Sequence, residues 1–384
     1  MTSETPHYIM YGCPPSLYSG KLRCYLLKKG LTFEERLPSH PEFFTKMVPA
    51  VGRMVMPILE ATDGSIHQDT TEIIDALERL HPERPVVPTT PKQRAVARLL
   101  ELFGDEGLLR PAMHYRWNFP DDNDDFISLE FGRFMNPIAD DTLAKELAAP
   151  SKAKMSGYLP ALGITEKTIP TIETAYLELL NALNDHLLKY PYILGGRPTI
   201  ADYGLIGPLY AHLARDPAPG HIMKTKANRV WRWVERMNAP GDDMPEFPDM
   251  ENDLIADDQI PETLLPVLRI IATDYLPELK ALCGFINGYI KENPDIRSDD
   301  PVISPDKGRA LGGFQTAIRG QDFDLMARHY SIWMLQRLTD ETGTLTDSDK
   351  DNIQSLFKQT GLEDILSLRV EHRIERKNYK EVWA

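Results

Sequence analysis

The order of strand and helix patterns in residues 8–80 constrains this chain more than any other feature. Residues 8–12 (Tyr-Ile-Met-Tyr-Gly) read as a short strand. A Cys13-Pro14-Pro15 turn follows, then an amphipathic stretch from Lys21 to Lys29 that Gly30 ends as a helix C-cap. Thr32–Leu37 reads as a second strand and Met56–Ala61 as a third after a proline-rich loop. The turn Asp63-Gly64 leads to a fourth strand ending at His67. Asp69 and Glu72 have capping-box spacing, and Ile73, Ile74, Leu77 and Leu80 form the apolar stripe of a helix over 70–80. The predicted order is β-α-β followed by β-β-α.

Strand alternation then stops. Thr90, Pro91 and Gln93 supply an N-cap, a proline at the first helical position and a reaching-back amide, ahead of Leu99, Leu100 and Phe103. Helices are predicted near 91–117, 125–135, 170–189, 199–214 and 226–237. Residues 240–262 carry nine acidic side chains, no Lys or Arg and several prolines, and read as a solvated linker. Beyond them the pattern predicts a long helix over 262–292, a Pro/Gly-rich loop over 293–313, and helices near 323–341 and 347–360 with Gly343 and Gly361 as C-caps. Residues 368–374 alternate, and Lys377-Asn378 turns them into a hairpin ending at Val382-Trp383. Tyr330, Trp333 and Met334 share a helix face that reads as packing. A chain of 384 residues exceeds one ordinary core, in keeping with several domains.

Charge and composition narrow the function classes. With 43 basic against 57 acidic residues and a net charge of −14, the field of the whole protein disfavours nucleic acid and anionic lipid. No apolar run approaches the ~18 residues that a membrane span requires. Three cysteines, and a start without a basic-then-apolar leader, predict a reducing, cytoplasmic setting. Three thiols do not make a four-thiolate zinc site, and no phosphate loop, His-Glu-x-x-His or Gly-x-Ser-x-Gly pattern occurs, so no metal is expected.

With this element order and three local matches, residues 7–240 resemble the soluble glutathione transferases. The resemblance implies an α/β thioredoxin-like, glutathione-binding domain over 7–82 and an all-α C-terminal domain over 90–240. An acidic linker over 241–262 and a mainly α extension over 263–384 of unknown role follow. The first match is Ser16-Leu-Tyr-Ser-Gly-Lys-Leu-Arg23, where the family places a Ser or Cys facing the glutathione sulfur. A thiol of pKa ~8.5 is mostly protonated at neutral pH, so a hydroxyl donor at a helix N-terminus favours the thiolate. Ser16 is the implied catalytic residue, with Cys13 and Tyr11 as alternatives. The second match is Met56-Pro57, where the fold has a cis-proline and Met56 offers its backbone to the peptide of glutathione. The third is Gln68-Asp69-Thr70, where Asp69 would accept the γ-glutamyl ammonium while Thr70 and the helix N-terminus hold the carboxylate beside it. Arg53 and His40 are weaker candidates for the glycine carboxylate. Met113, Tyr115 and Trp117 would line the pocket for the second substrate. Thr199 and Asp202 match the family's capping box in the helical domain and read as folding residues.

What the resemblance implies is a glutathione-dependent transferase that joins the thiolate to a small apolar electrophile. Glutathione is co-substrate, no metal takes part, and the setting is a cytoplasmic homodimer serving detoxification. Two alternatives stand beside it. One is a non-catalytic binding or interaction module, suggested by the long extension. The other is a thiol-disulfide reductase of glutaredoxin or dehydroascorbate type working through Cys13, because Cys13-Pro-Pro-Ser16 is similar to a monothiol Cys-x-x-Cys.

Overall fold

The computed structural model describes residues 7–242, 244–303 and 310–384. Strands β1 (His7–Tyr11), β2 (Thr32–Arg36), β3 (Ile58–Glu60) and β4 (Ile66–Gln68) form one mixed sheet in the order β2-β1-β3-β4. The β1–β2 pair is parallel and needs the crossover helix α1 (Leu17–Lys29), while β3 and β4 join as an antiparallel pair through the tight Asp63-Gly64 turn. Gly30 ends α1 at φ +72°, a conformation that glycine adopts without penalty. A short helix α2 (Val48–Val51) precedes β3, and α3 (Thr70–Leu80) closes this thioredoxin-like domain.

The all-helical domain comprises α4 (Pro91–Leu102), α5 (Leu109–Trp117), α6 (Pro120–Met135), α7 (Asp141–Ser156), α8 (Ile169–His186), α9 (Ile200–Ala211), α10 (Pro217–Lys226) and α11 (Asn228–Met237). The single helix predicted over 91–117 is broken by a wide turn at 103–107. There Gly104 lies against the backbone of Gly204 in α9, and a Cβ on Gly104 would come within 2.3 Å of it. Helix α7 escaped the sequence reading because its buried residues are only Ala144 and Ala148, too small to leave an apolar stripe. The Thr199–Asp202 capping box is present at the start of α9, and Asp202 also accepts the Ile193 N–H and the Trp233 indole.

The acidic segment is fastened down. Asp258 accepts the backbone N–H groups of Lys92 and Gln93, so it caps α4 where Thr90 was expected to. Gln93 donates to the Ile255 and Gln259 carbonyls, and Glu246 pairs with Arg232 and Arg236. These contacts replace the solvated linker expected from composition.

The extension holds α12 (Leu265–Asp274), α13 (Leu276–Glu292), hairpin β5 (Gly313–Ile318) with β6 (Gln321–Met326), α14 (Tyr330–Gly343), α15 (Asp347–Thr360) and hairpin β7 (Ile374–Lys377) with β8 (Lys380–Trp383). The helix expected over 262–292 breaks at Tyr275, just ahead of Pro277, whose missing N–H is tolerated only in a first turn. Residues 323–326 belong to a strand because Arg319 and Gly320, both at positive φ, close a tight hairpin turn. The terminal hairpin forms, but later than the alternation over 368–374 predicted: its first strand starts at Ile374, and its turn is Asn378-Tyr379, both at positive φ, one residue beyond the expected Lys377-Asn378.

One buried cation joins the first two domains. Lys21 on α1 is fully buried, and its Nζ donates to Asp105 Oδ2 at 2.6 Å, Glu101 Oε1 at 2.9 Å and Thr71 Oγ1 at 3.2 Å. Burial alone would lower its pKa, but Asp105 and Glu101 beside it raise it above the usual lysine value. Replacing Lys21 by Met strands the buried Asp105 carboxylate and leaves Glu101 only Arg98 as its cation, so urea unfolding at pH 7 should show a loss of about 3–5 kcal/mol. The deficit should shrink as pH falls and the carboxylates protonate; a deficit unchanged with pH would show that no stranded charge caused it.

Candidate active site

A cleft of about 550 Å³ opens between the thioredoxin-like domain, helices α5 and α6, and the extension. Ser16, Met56, Pro57, Asp69, Thr70, Arg53 and Met113 all line it, so residues far apart in sequence meet at one place.

Ser16 is the N-cap of α1. Its Oγ accepts the Ser19 N–H at 3.3 Å, which leaves the hydroxyl proton free to donate into the cleft. The positive end of the helix points the same way. Ser19 is fully buried and accepts the Cys13 N–H, so it braces the loop. Arg116 on α5 fixes that loop from the other side. Its guanidinium, 2% exposed, donates to the Pro15 carbonyl at 2.8 Å, to both oxygens of Asp216 at 2.6 and 2.9 Å, and to the Ala211 carbonyl. His212 completes the shell at 2.7 Å, and burial, with Arg116 beside it, drives its pKa well below the usual value, so the ring is neutral.

Across the cleft, the Met56–Pro57 peptide bond is cis and leads into β3. Asp69 is held at φ +79°, a region costly for a residue with a side chain. Its Oδ1 recovers part of that cost by capping α3, accepting Thr71 and Glu72 N–H at 3.0 and 3.3 Å. Arg53 donates to Gln68 Oε1 at 3.3 Å. One end of the cleft is apolar, with Met113, Leu109, Phe131, Phe134 and Met155.

The other candidates stand elsewhere. Cys13 borders the cleft but is 2% exposed and packs against Ile127, Phe131, Phe134 and Ala148; burial pushes its thiol up to about 12. The Tyr11 hydroxyl is turned away, donating to Glu42 at 2.7 Å. Tyr115 points into the helical core, stacked on Phe119, and Trp117 packs edge-on against Phe131 behind the wall; neither lines the cleft. His40 sits by Glu42, outside it. Among the described residues no group of three or more His, Cys, Asp or Glu side chains is arranged to hold a metal ion, and no helix is long and apolar enough to cross a membrane.

The sequence reading missed one wall entirely. Arg328, His329 and Tyr330 at the start of α14, with Arg376 and Glu381 of the terminal hairpin, line the same cleft. The Tyr330 face had been visible as a helical stripe, but Arg376 and Glu381 carried no local signal. Arg328 pairs with Glu106 at 2.8 Å and Glu278 at 3.0 Å, which seats α14 on the turn between α4 and α5.

Residues 10–85 match the family model of the glutathione S-transferase N-terminal domain, and residues 166–236 match that of the C-terminal domain. No curated protein matches the sequence. Among solved structures, the chain is similar to the beta-etherase LigF from Sphingobium sp. strain SYK-6, at 22% identity and a TM-score of 0.42 over 60% of this chain and 95% of that one. It is also similar to a glutathione S-transferase from Methylobacterium radiotolerans in complex with glutathione sulfonate, at 20% identity and a TM-score of 0.37 over 66% and 100% of the two chains. A GST-like protein from Pseudomonas syringae is 14% identical with a TM-score of 0.39, covering 83% of this chain and 94% of that one. The chain thus carries the N- and C-terminal domains of the glutathione S-transferase family, with a further extension behind them.

Proposed function

We propose that the protein is a glutathione-dependent transferase that joins the glutathione sulfur to a small apolar electrophile. The observation that carries the reading is the meeting of Ser16, Met56, Asp69 and Thr70 on one cleft whose far end is apolar. Glutathione brings an ammonium, two carboxylates, a peptide backbone and a thiol, and each has a counterpart here. Asp69 takes the ammonium, and Thr70 with the N-terminus of α3 takes the carboxylate on the same carbon. The Met56 main chain pairs with the peptide, and Arg53 is the cation for the glycine carboxylate. The Ser16 hydroxyl donates to the sulfur and holds it as thiolate. That sulfur attacks the electrophile seated against Met113 and Phe131, and the bond to the leaving group breaks as the new carbon–sulfur bond forms. The protein's contribution is positioning and thiolate stabilisation. A cytoplasmic homodimer serving detoxification belongs to the same proposal, on the resemblance alone.

The burial of Cys13 favours Ser16 over the thiol-disulfide alternative, because a protonated, enclosed thiol is a poor nucleophile. All three cysteines are buried, and burial pushes each thiol up to about 12. Native protein at neutral pH should therefore react slowly with a thiol-specific disulfide reagent and take up the label only on unfolding. Prompt labelling of Cys13 would revive the reductase reading.

Retention on immobilised glutathione and conjugation of an aryl halide test the main proposal together. Ser16→Ala should lower kcat/KM by roughly 10²-fold while retention persists, as expected for removing one donor to a developing anion. Asp69→Asn should weaken glutathione binding by about tenfold or more. A wild-type protein that does not bind glutathione would reject the proposal; one that binds it and conjugates nothing would leave the non-catalytic module.

A further inference from the structure

The extension does more than cover the cleft. The Tyr330 hydroxyl donates to Asp69 Oδ2 at 2.8 Å, while Asp69 Oδ1 is occupied by the N-terminus of α3. Asp69 is thus gripped from two sides, once by its own helix and once by a residue 261 positions away. Arg376, 2% exposed, braces the same turn: its Nη2 donates to Gln68 Oε1 at 3.0 Å and its Nε to Glu72 Oε2 at 2.9 Å. Its guanidinium lies over the rings of Tyr330 and Trp333, at 5.7 and 5.6 Å from their centroids, which holds the phenol in place. The Gln68–Glu72 turn, including a backbone torsion that a side chain disfavours, is therefore clamped by the extension from both flanks.

We propose that Tyr330 is a positioning residue of the glutathione site, orienting the Asp69 carboxylate for the γ-glutamyl ammonium, so that the extension sets the affinity for the thiol peptide within a single chain. The inference rests on the glutathione reading above. A carboxylate offers about four acceptor sites, so the Tyr330 bond leaves Asp69 able to receive an ammonium while removing its freedom to rotate. Burial, and then the negative charge of Asp69, push the Tyr330 hydroxyl well above its ordinary pKa, so it remains a donor throughout the working range. Affinity is gained because the geometry is set before the ligand arrives.

A double-mutant cycle on the full chain tests this, with glutathione binding read by calorimetry and aryl-halide conjugation read as KM and kcat. Tyr330→Phe keeps the ring, its contact with Trp333 and its place under Arg376. It should raise the glutathione Kd and KM by roughly 5–30-fold, the range expected for a lost hydrogen bond to a charged group, with kcat within about twofold. In an Asp69→Asn background the same change should cost no more than about twofold, since the carboxylate it orients is gone. Equal losses in both backgrounds would assign Tyr330 a merely structural role and overturn the proposal, as would unchanged glutathione affinity in Tyr330→Phe. Should Tyr330→Phe unfold, Arg376→Gln, which loosens the Gln68 flank, gives the second reading: glutathione affinity must fall there without a matching fall in kcat. Wild-type protein that fails to bind glutathione is a separate result, because it removes the underlying reading before any variant is compared.

Discussion

A lysine ammonium taken out of water is tolerated only where fixed negative charge meets it, and Lys21 meets two carboxylates from the next domain. This requirement sets where α1 lies against α4. The carboxylates come from Glu101 at the end of α4 and Asp105 in the wide turn after it, so the break in that helix brings the second one inward. Glu101 is also held by Arg98 at 3.1 Å and receives the Thr71 hydroxyl at 2.9 Å; Lys21 and Arg98 hold its carboxyl down at about 2 against the opposing effect of burial. Thr71 follows Asp69 and Thr70 in the first turn of α3, and Lys21 follows Ser16 by little more than one turn of α1. The two helix starts that face the cleft are thereby referenced to a single buried charge cluster, and the distance across the cleft becomes a property of that cluster.

The same cluster reaches the extension. Arg98 pairs with Glu341 of α14 at 2.9 Å as well as with Glu101, and Arg337 of α14 pairs with Asp75 of α3 at 2.8 Å. Arg328 joins Glu106 to Glu278, linking the turn after α4 to α13. Polar links of this kind cost desolvation and add little net stability, but they admit few alternative geometries. Apolar packing supplies the driving force instead, through residues such as Leu268, Ile271, Trp333 and Phe357, which belong to one core continuous with the helical domain. Hydrophobic burial holds the extension on, and the ion pairs determine its register over the cleft.

The sequence disclosed what local rules determine. Gly30, the Asp69 cap and the Thr199–Asp202 box each leave a signature within a few residues and stand in the structure as read, while the terminal turn stands one residue later than Lys377-Asn378. The β5–β6 hairpin was also legible in principle, since Phe314, Thr316 and Ile318 alternate ahead of Arg319-Gly320, but the helical stripe behind it was extended too far forward. Other features depend on partners distant in sequence. Nothing near Arg376 announces that it will meet Gln68, and nothing near Asp258 announces that it will cap α4. Tyr330 was correctly placed on a packed helix face, yet its hydroxyl, the part that bears on the cleft, belongs to a contact that no sequence period encodes.

The acidic balance of the chain takes on a different meaning once its charges are located. The stretch 240–262 looked like a self-repelling linker, but Asp242, Glu246, Asp253 and Asp258 are each matched, by Arg84, by Arg232 and Arg236, by Arg197, and by the N-terminus of α4. Four of the nine acidic groups in the stretch are thus tied to the folded body. The cleft has its own charge pattern, in which Arg53, Arg328, Arg376 and Lys154 stand with Asp69, Glu106 and Glu381. Burial opposes the charge of Glu381, but the hydrogen bond from His329 and the Arg376 guanidinium pull its carboxyl down to about 2, so its charge is spent on the extension's own donors. Glu106 is committed in the same way to Arg328 and Ser331. Asp69 differs from both in its direct partners: a phenol and two backbone amides donate to it, and the Arg376 guanidinium acts on its charge only through space. A carboxylate held in place by neutral donors keeps its charge available, and that is the condition under which an incoming ammonium gains most from meeting it.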